Sequence, residues 1–335
     1  MSGPGTRDLG PGNLWRPSAS IEELRRRAAL FASVRRFFAD RGVMEVDTPV
    51  LSRYATVDRH IESFVAVPFP GPGPRVPSPE AFLQTSPEFA MKRLLAAGSG
   101  PIYQIAPVFR CEESGRLHNP EFRMLEWYRP GLDHHGLMDE VEALCRSLGV
   151  TAAEPFERLG YREAFVRHAG FDPMQPAAQL RLELEGRVPL PDADDAQAAD
   201  PDFWRDLAMS LLVGPALGEH QPCFIHGFPA SQAALSRVED GLAQRFELVW
   251  RGVELANGFH ELGEAEEQQR RFEADRSWRR EHGKPVPPLD EALIAALRHG
   301  LPDCAGVALG LDRLLMLLCG ETELARVLPF EFARA

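Results

Sequence analysis

The chain has 335 residues, of which 44% are apolar and 26% are charged, and this composition predicts a globular protein with a sizeable core. Its formal net charge of -12 argues against a broad basic face for the phosphates of a nucleic acid, although it leaves room for a local basic patch. No secretory signal is expected in residues 1–13, and the most apolar stretch, residues 307–319, is too short to span a bilayer. The five cysteines are dispersed without a CxxC pair, which argues against a disulfide framework or a zinc site and favours the reducing cytoplasm.

The first half of the chain is predicted to alternate between helices and strands. A helix is expected after Ser20, which forms a capping box with Glu23, and it should end at Gly42. Residues 43–48 are predicted to be extended, and residues 68–79, dense in Pro and Gly, to form an exposed loop. The elements that follow are helices at 87–97 and 133–148 and strands at 102–110 and 121–129.

The second half contains an apparent insertion and a hairpin. Residues 172–201, rich in Pro, Asp and Ala, are interpreted as an insertion or a mobile excursion, and two extended runs flank Arg251-Gly252 as in a β-hairpin. The predicted elements are helices at 202–213 and 264–282, strands at 223–228, 246–250 and 253–259, and a strand-to-helix passage at 306–319. Together they predict an α+β fold, a mixed and mostly antiparallel sheet flanked by helices, in one domain at 20–335 after an N-terminal tail at 1–19.

A first candidate site lies around residues 109–122. Arg110 and Glu112 are two residues apart and therefore point to the same face of a strand. Arg110 can hold a phosphate through two parallel hydrogen bonds, and Phe122, at the start of the next strand, can stack on a purine. The alternative is an exposed hairpin with an ion pair between Arg110 and Glu112. The sequence NPEF at 119–122 favours the phosphate site.

A second candidate site is the Gly-rich segment at 306–314 (GVALGLDRL). Gly306, Ala308 and Gly310 lie on one face of a predicted strand, where small residues let a flat ligand approach the backbone. Arg313 then enters a helix and can reach a phosphate. The alternative is an ordinary strand-to-helix turn in which Asp312 caps the helix.

Three glutamates, Glu247, Glu254 and Glu261, form an acidic series. If the predicted hairpin turns over two residues, Val249 pairs with Glu254, which places Glu247 and Glu254 diagonally on one face. Like charges so placed destabilise a sheet unless a cation joins them, and a hard divalent ion shared with phosphate oxygens fits that position. Glu261 lies an odd number of residues further on, so a bulge or the strand end must turn it toward the same cavity. The alternative is a solvated acidic face.

Two further segments carry acidic residues near predicted element ends. Residues 85–88 (TSPE) form a turn that caps a helix, and Glu88 either favours the helix dipole or receives a substrate ammonium. On the strand that begins near Phe122, Glu126 and Tyr128 share the Phe122 face because their spacing is even.

These pieces, in this order, resemble the catalytic domain of the class II aminoacyl-tRNA synthetases. Residues 42–49 (GVMEVDTP) are similar to the first, dimer-forming motif of that class, residues 110–122 to the second and residues 306–313 to the third. Within the class, similarity to the lysine enzymes is carried by residues 85–88, 119–122 and 254–262 (ELANGFHEL).

The resemblance implies an enzyme that uses ATP to activate an amino acid as its adenylate, with Arg110 and Arg313 as catalytic residues. Arg110 would contact the α-phosphate, and Phe122 would stack on adenine. The implied ATP-binding residues are Arg110, Glu112, Asn119, Phe122, Glu254, Leu255, Gly310 and Arg313, and the implied Mg²⁺ ligands are Glu247 and Glu254. The implied substrate-binding residues are Ser86, Pro87, Glu88, Tyr128, Glu261 and Ala308. Of these, Glu88, Tyr128 and Glu261 would receive the two amino groups of a lysine-like substrate.

The sequence differs from the lysyl-tRNA synthetases in two respects, and both indicate a more specific family. Only about twenty residues precede the first predicted helix, too few for an anticodon-binding OB domain, and Ala308 stands where the synthetases usually have Gly. One methyl group there would change which lysine isomer fits, by about 1–3 kcal/mol. With residues 126–130 (EWYRP) and 256–261 (ANGFHE), both features are similar to the stand-alone lysyltransferases that modify translation elongation factor P.

That family activates (R)-β-lysine with ATP and transfers it to a lysine side chain of elongation factor P. The resemblance therefore implies these substrates, Mg²⁺ and a homodimer. Cys111 stands where the family's second motif has Asn, and it is expected to face away from Arg110. Two alternatives stay open, a truncated synthetase that charges tRNA and a silent paralogue that senses an amino acid and regulates a partner. The acidic charge and the missing domain disfavour the first, and the retained Arg110, Glu112 and Arg313 disfavour the second.

Overall fold

The computed structural model describes residues 15–67, 81–111 and 113–335. Residues 1–14 of the predicted tail, the predicted loop at 68–79 and Glu112 lie outside the described residues.

The described residues form helices and strands in nearly equal number. The α-helices are α1 Ile21–Ala39, α2 Glu88–Ala96, α3 His134–Ser147, α4 Tyr161–His168, α5 Ala177–Leu184, α6 Asp195–Ala199, α7 Pro201–Ala208, α8 Ala265–Glu281, α9 Glu291–Gly300 and α10 Leu311–Leu318. The strands are β1 Met44–Glu45, β2 Leu51–Ser52, β3 Val65–Ala66, β4 Ala81–Leu83, β5 Ile102–Phe109, β6 Glu121–Pro130, β7 Glu157–Gly160, β8 Cys223–Pro229, β9 Val238–Glu239, β10 Leu242–Trp250, β11 Val253–His260 and β12 Cys304–Gly310. Within these ranges, none of the helices has the length and apolar character needed to cross a membrane.

The strands of the main sheet run in the order β1-β5-β6-β12-β11-β10-β8-β7, with β9 also paired to β10. Neighbouring strands are antiparallel except for the pairs β1–β5 and β7–β8, which are parallel. Strand β12, near the end of the chain, lies between β6 and β11, so segments far apart in sequence meet at the centre of the sheet. This mixed, mostly antiparallel sheet with helices packed on it confirms the predicted α+β class.

Side chains alternate between the two faces of the central strands. Leu125 and Trp127 of β6 and Val307 and Leu309 of β12 are buried in the largest apolar cluster, together with residues of α1, α3 and α10. The even-numbered residues of both strands therefore point to the opposite face. Most of the predicted site residues on these strands have even numbers.

Helix α1 covers this core with one face. Ser20 Oγ accepts a hydrogen bond from the Glu23 N–H at 3.2 Å and so caps the helix at the predicted position. Val34 and Phe38 are fully buried, and the Phe38 ring stacks on Tyr103 of β5 with the ring centroids 4.4 Å apart.

Strands β10 and β11 form the predicted hairpin. Arg251 and Gly252 have φ angles of +52° and +70°, the left-handed conformations that a tight two-residue turn requires. Trp250 and Val253 pair on either side of the turn.

The register of this hairpin contains a β-bulge. Val249 pairs with Glu254, as predicted, whereas the preceding residue Leu248 pairs with Ala256. Leu255 is therefore an extra residue on β11.

The predicted insertion at 172–201 contains α5 and α6 and packs on the far end of the main sheet. Leu180 and Leu184 of α5 are buried in a second apolar cluster with Trp204 of α7 and Ile225 of β8. Helix α7 continues into a π-helical turn at Met209–Val213, and the two together cover the predicted helix at 202–213.

Several elements have no counterpart among the sequence predictions. They are a second sheet in the order β2-β4-β3, strands β7 and β9, and helices α4 and α9. The strands of the second sheet have two or three residues each, too few for an alternating pattern to show. Helix α9 does carry a signal, because Asp290 accepts a hydrogen bond from the Leu293 N–H at 3.0 Å and caps it.

Candidate active site

A cavity of about 1950 Å³ opens on the face of the main sheet that points away from α1 and α3. Residues of α2, α7 and α8 form its other walls. Twelve of the predicted site residues line it: Ser86, Pro87, Glu88, Arg110, Asn119, Phe122, Glu247, Glu254, Leu255, Ala308, Gly310 and Arg313. Tyr128 and Glu261 are buried within electrostatic reach of Glu88, and Glu112 lies outside the described residues.

Strands β6, β12 and β11 pair side by side and form the middle of the cavity wall. Ala308 of β12 lies opposite Glu126 of β6 on one side and opposite Asn257 of β11 on the other. The second and third predicted motifs, far apart in sequence, therefore share one wall.

Arg110 directly follows β5. Its backbone N–H donates to the carbonyl of Pro120 at 3.0 Å and closes the loop between β5 and β6. Its guanidinium carbon lies 5.3 Å from the centroid of the Phe122 ring, and Nη1 lies 3.0 Å from a carboxylate oxygen of Glu113, an ion pair that is not predicted from the sequence. Nε is buried and has no hydrogen-bond partner among the described residues. A buried donor left unpaired costs free energy, so an acceptor on a ligand would be stabilised there.

Arg313 lies in the first turn of α10 and reaches two backbone carbonyls. Nε donates to Leu117 O at 3.3 Å, and Nη1 donates to Glu254 O at 3.2 Å. Both hydrogen bonds are long, and phosphate oxygens would accept more strongly than these carbonyls.

His118 lines the cavity beside the two arginines and has no role predicted from the sequence. Burial and the positive charge of Arg313 lower the pKa of His118 below its usual value. The imidazole is therefore neutral at pH 7, and it adds no charge to the end of the cavity that contains Arg110 and Arg313.

Asn119 lines the cavity, but its side chain already has two partners in the chain. Nδ2 donates to Glu121 O at 2.6 Å, and Oδ1 accepts from the Phe332 N–H at 2.9 Å. The amide thus joins the loop before β6 to the C-terminal segment. Its assignment to ATP stays a prediction.

Glu247 of β10 and Glu254 of β11 both line the cavity. Burial, opposed by the ion pair with Arg245 and reinforced by the Glu254 carboxylate, raises the pKa of Glu247 to about 7. Among the residues that the structure describes, no group of three or more His, Cys, Asp or Glu side chains is arranged to hold a metal ion. Two carboxylates that repel each other fit a hard cation such as Mg²⁺ whose other ligands are phosphate oxygens and water.

The bulge at Leu255 explains how Glu254 and Glu261 share one side of the sheet despite their odd spacing. Leu255 and Ala256 both join the core on the α1 side, which shifts the alternation by one residue. Asn257 therefore lines the cavity. Glu261 lies four residues further on, an even spacing that places it on the same side of the sheet. The sequence predicts that either a bulge or the strand end turns Glu261 toward the cavity, and the structure contains the bulge.

Glu126 is a buried carboxylate held by two neutral donors. Tyr128 OH donates to Oε1 at 2.6 Å, and Ser86 Oγ donates to Oε2 at 2.8 Å. Burial and the nearby Glu88 carboxylate raise the pKa of Glu126 to about 8. Glu126 is not among the predicted site residues, although its even spacing from Phe122 placed it on the correct face.

Lys92 of α2 joins the other two carboxylates of this pocket. Its Nζ lies 2.6 Å from Oε1 of Glu88 and 2.6 Å from Oε2 of Glu261. Burial, opposed by the Lys92 ammonium and reinforced by Glu88, raises the pKa of Glu261 to about 7. Lys92 has no role predicted from the sequence; its position four residues after Glu88 on a helix is the signal that could have found it.

The structure corrects the expectation that Gly306 offers an open surface to a flat ligand. A Cβ atom on Gly306 would overlap the Tyr128 ring and the Glu261 carboxylate, which already occupy that space. Gly306 therefore makes room for side chains of the carboxylate pocket, whereas Ala308 and Gly310 remain on the cavity wall.

Comparison with known proteins identifies the family. Residues 13–334 match the family model described as class II tRNA synthetases (D, K and N). The chain belongs to this family. The elongation factor P–(R)-β-lysine ligase of Yersinia enterocolitica is 48% identical over 325 residues, which cover 96% of this chain and 98% of the relative. The ligases of the same name from Edwardsiella ictaluri and Salmonella typhi are 47% and 48% identical over 324 residues, with the same coverage.

The match spans nearly the whole chain and confirms the class II catalytic fold that the three motifs predict. Family membership and the similarity to these ligases also make the protein an enzyme of the ligase class. The roles of individual side chains in this class II site stay predictions.

Proposed function

We propose that this protein activates (R)-β-lysine with ATP and transfers the lysyl group to the ε-amino group of a lysine on translation elongation factor P. One observation carries the proposal: the cavity that contains Arg110, Phe122 and Arg313 extends to Glu88, at the edge of a buried carboxylate pocket. The names of the relatives, and their coverage of nearly the entire chain, support the same substrates.

In the first step, a carboxylate oxygen of the amino acid attacks the α-phosphorus of ATP, and pyrophosphate leaves on the opposite side. We expect Arg110 to stabilise the charge that builds up on the α-phosphate, and Phe122 to stack on adenine. Arg313, at the start of α10, is suited to the other phosphates. When bound by Glu247 and Glu254, Mg²⁺ would neutralise phosphate charge.

The carboxylate pocket is suited to an amino acid with two amino groups. Glu88, Glu126 and Glu261 lie within electrostatic reach of Tyr128, and each can accept hydrogen bonds from an ammonium group. Ala308 lies beside Glu126 and adds a methyl group to the wall at the entrance of this pocket. We expect this methyl group to contribute to the choice between lysine isomers.

In the second step, the acceptor amine attacks the carbonyl carbon of the adenylate. An amide bond forms, the bond to the phosphate oxygen breaks, AMP leaves and the amine loses a proton. No nucleophile from the enzyme is needed. The cavity of about 1950 Å³ is larger than the roughly 300–1,000 Å³ of ordinary small-molecule sites, so an acceptor side chain has room to enter.

We also infer a homodimer and a cytoplasmic location. Met44 of β1, within the first motif, and Leu51 of β2 are 49% and 54% exposed, and a second copy of the chain would cover this apolar surface. Cys145, Cys223 and Cys304 are buried thiols, as in proteins of a reducing compartment. Light scattering measures the assembly directly, and a monomer at micromolar concentration would contradict the dimer.

ATP–pyrophosphate exchange with (R)-β-lysine, (S)-β-lysine and L-lysine tests the first step. Transfer of labelled amino acid to elongation factor P or to tRNA tests the second. We expect the fastest exchange with (R)-β-lysine and label on elongation factor P alone. Label on tRNA would support a truncated synthetase, and binding without exchange would support a silent regulatory paralogue.

A further inference from the structure

Lysine is rare in this chain. Of the 37 basic residues, only Lys92 and Lys284 are lysines, and the other 35 are arginines. Every Lys or Arg among the described residues that line the cavity is an arginine. A lysine at position 92 therefore indicates a place where a compact ammonium fits and a planar guanidinium does not.

Lys92 occupies a closed site between two elements. Its side chain is 2% exposed, and Nζ lies 2.6 Å from carboxylate oxygens of both Glu88 and Glu261, which ties α2 to the end of β11. Burial lowers the pKa of Lys92, but the carboxylates of Glu261 and Glu88 outweigh burial and hold the pKa above its usual value. The side chain is an ammonium at neutral pH.

The third carboxylate of the pocket, Glu126, contacts no cation among the described residues. Its hydrogen-bond donors are the neutral hydroxyls of Ser86 and Tyr128. Three carboxylates and one fixed ammonium leave two negative charges without a partner when all are ionised. Buried charges without partners are costly, so the pocket is complete when a ligand brings two ammonium groups.

The carboxylate of Glu261 packs against the backbone of β12 at Gly306. It lies against Gly306 so closely that a single added Cβ atom would overlap it. A guanidinium at position 92 is larger than the ammonium and would push Glu261 toward that backbone.

We propose that Lys92 is a positioning residue that sets the charge and the geometry of the amino-acid pocket for a substrate with two ammonium groups. This inference rests on the proposed function and deepens it. Lys92 neutralises one of three carboxylates and holds Glu88 and Glu261 in place before the substrate arrives. It acts on the binding of the amino acid and leaves the ATP end of the cavity unchanged.

Lys92→Met tests the proposal because it keeps most of the side-chain volume and removes the charge. We expect the KM for (R)-β-lysine in pyrophosphate exchange to rise about tenfold or more, while the KM for ATP stays the same. Lys284→Met is the matched control, since Lys284 also pairs with a glutamate, Glu62 at 3.2 Å, and Lys284 does not line the cavity. It should leave both KM values unchanged.

The pH profile separates positioning from simple structural support. The Lys92 ammonium lowers the pKa of the buried Glu261 carboxyl, against burial and the Glu88 charge. Without the ammonium, only Arg237 among the described residues still lowers it, so Glu261 holds its proton to higher pH, and a protonated carboxyl accepts a substrate ammonium poorly. The KM for the amino acid should therefore fall at a pH about one unit higher, or more, in Lys92→Met than in the wild type. A variant that loses thermal stability and kcat together, with the KM and its pH profile unchanged, would show a purely structural role and overturn the proposal.

A second measurement uses the wild-type chain and does not depend on the folding of any variant. Labelling with [¹⁵N]lysine gives two side-chain ammonium signals, from Lys92 and Lys284. Addition of (R)-β-lysine should shift the Lys92 signal alone, and a Lys92 signal that does not respond to saturating ligand would overturn the proposal. A wild-type chain that binds (R)-β-lysine without exchange activity would instead contradict the proposed function.

Discussion

Arg110 is held in place by the chain before any ligand binds. Glu113 and the Phe122 ring fix its guanidinium from two sides, and its Nε keeps an unused hydrogen bond. Such preorganised donors contribute most when charge develops during the reaction, because no reorganisation is needed at that moment.

Arg110→Ala should lower kcat for pyrophosphate exchange by about 10²–10³-fold or more, the cost of removing one preorganised donor. Arg123→Ala is a suitable control, because Arg123 lies on β6 nearby but forms only a partly exposed ion pair with Glu121 at 2.8 Å. We expect the control to retain normal exchange and both variants to melt near the wild-type temperature. Normal exchange in Arg110→Ala would refute the role assigned to this arginine.

Glu126 couples substrate binding to a proton. Its pKa is raised to about 8, first by burial and then by Glu88, so the empty pocket holds a neutral Glu126 at pH 7. An entering ammonium group favours the ionised form and expels that proton. The KM for (R)-β-lysine should therefore decrease between about pH 6.5 and 8.5, a range in which the amino groups of a lysine, with a pKa near 10, stay largely charged. A KM that is flat over this range, or the same dependence in Glu126→Gln, would contradict the coupling.

The proton on Glu126 also makes the stability of the folded protein depend on pH. The folded state holds a proton on Glu126 up to about pH 8, whereas the unfolded chain releases it near its ordinary pKa of 4.5. The unfolded state binds fewer protons in this window, so the free energy of unfolding decreases as the pH rises through it. Glutamine resembles the protonated acid and does not titrate. Thermal denaturation should show Glu126→Gln melting above the wild type at pH 8 and close to it at pH 4.5; equal melting temperatures at both pH values would contradict this account.

The site residues that could be predicted from the sequence belong to short local motifs. Arg110 and Phe122 share one loop and hairpin, and Glu88 begins a helix directly after Ser86, whose Oγ accepts the Glu88 N–H. The contacts of Lys92 with Glu261 and of Glu126 with Ser86 form only through packing of α2, and the turn before it, against β6 and the end of β11. That packing depends on tertiary contacts, which no local pattern encodes.

At the scale of single elements, the turn of the β10–β11 hairpin sets the position of Glu247 and Glu254, the two glutamates of this hairpin that line the cavity. Gly252 has a φ angle of +70°, and a Cβ atom there would lie 3.2 Å from the backbone of Pro215. Both the left-handed conformation and the close neighbour penalise any larger residue.

Gly252→Ala should lower the free energy of unfolding by about 1–3 kcal/mol, a typical cost of local backbone strain. Gly241→Ala is the matched control, because Gly241 has a φ of +78° with no atom within 4 Å of an added Cβ. Urea denaturation should show the larger loss for Gly252→Ala, and the Mg²⁺ concentration that half-saturates exchange should rise in that variant alone. Equal losses of unfolding free energy in the two variants would mean that contact with Pro215 does not contribute to the destabilisation.

Sequence patterns predict elements whose signals lie within a few neighbouring residues. The Arg251-Gly252 turn and the Ser20 cap are of this kind, and both form as predicted. The odd spacing of Glu254 and Glu261 even requires the irregularity that the bulge at Leu255 provides. The covering of Gly306 by Tyr128 and Glu261 could not be predicted, because it requires β12 to insert between β6 and β11.

At the scale of the whole molecule, the cavity face of the main sheet and the helical core are joined through Asp312. Its buried carboxylate pairs with Arg27 of α1 and accepts the Arg123 backbone N–H of β6 at 2.7 Å. These contacts go beyond the helix cap that the local sequence suggests for Asp312. They fix the start of α10, and with it Arg313, relative to the strand that carries Phe122 and Glu126.

A continuous cavity that binds both substrates at once predicts how the whole chain responds to ligands. A non-hydrolysable β-lysyl-adenylate analogue reaches from the Phe122 end to the carboxylate pocket, so its Kd should lie far below that of ATP or of (R)-β-lysine. Binding to the folded state adds about 2.7 kcal/mol of stability when the ligand is at 100 times its Kd, and less when it is dilute relative to its Kd. At equal micromolar concentrations, the analogue should therefore raise the Tm by more than the sum of the shifts measured with ATP alone and with (R)-β-lysine alone. An analogue that stabilises the protein no more than ATP would mean that the two ends of the cavity do not act as one site.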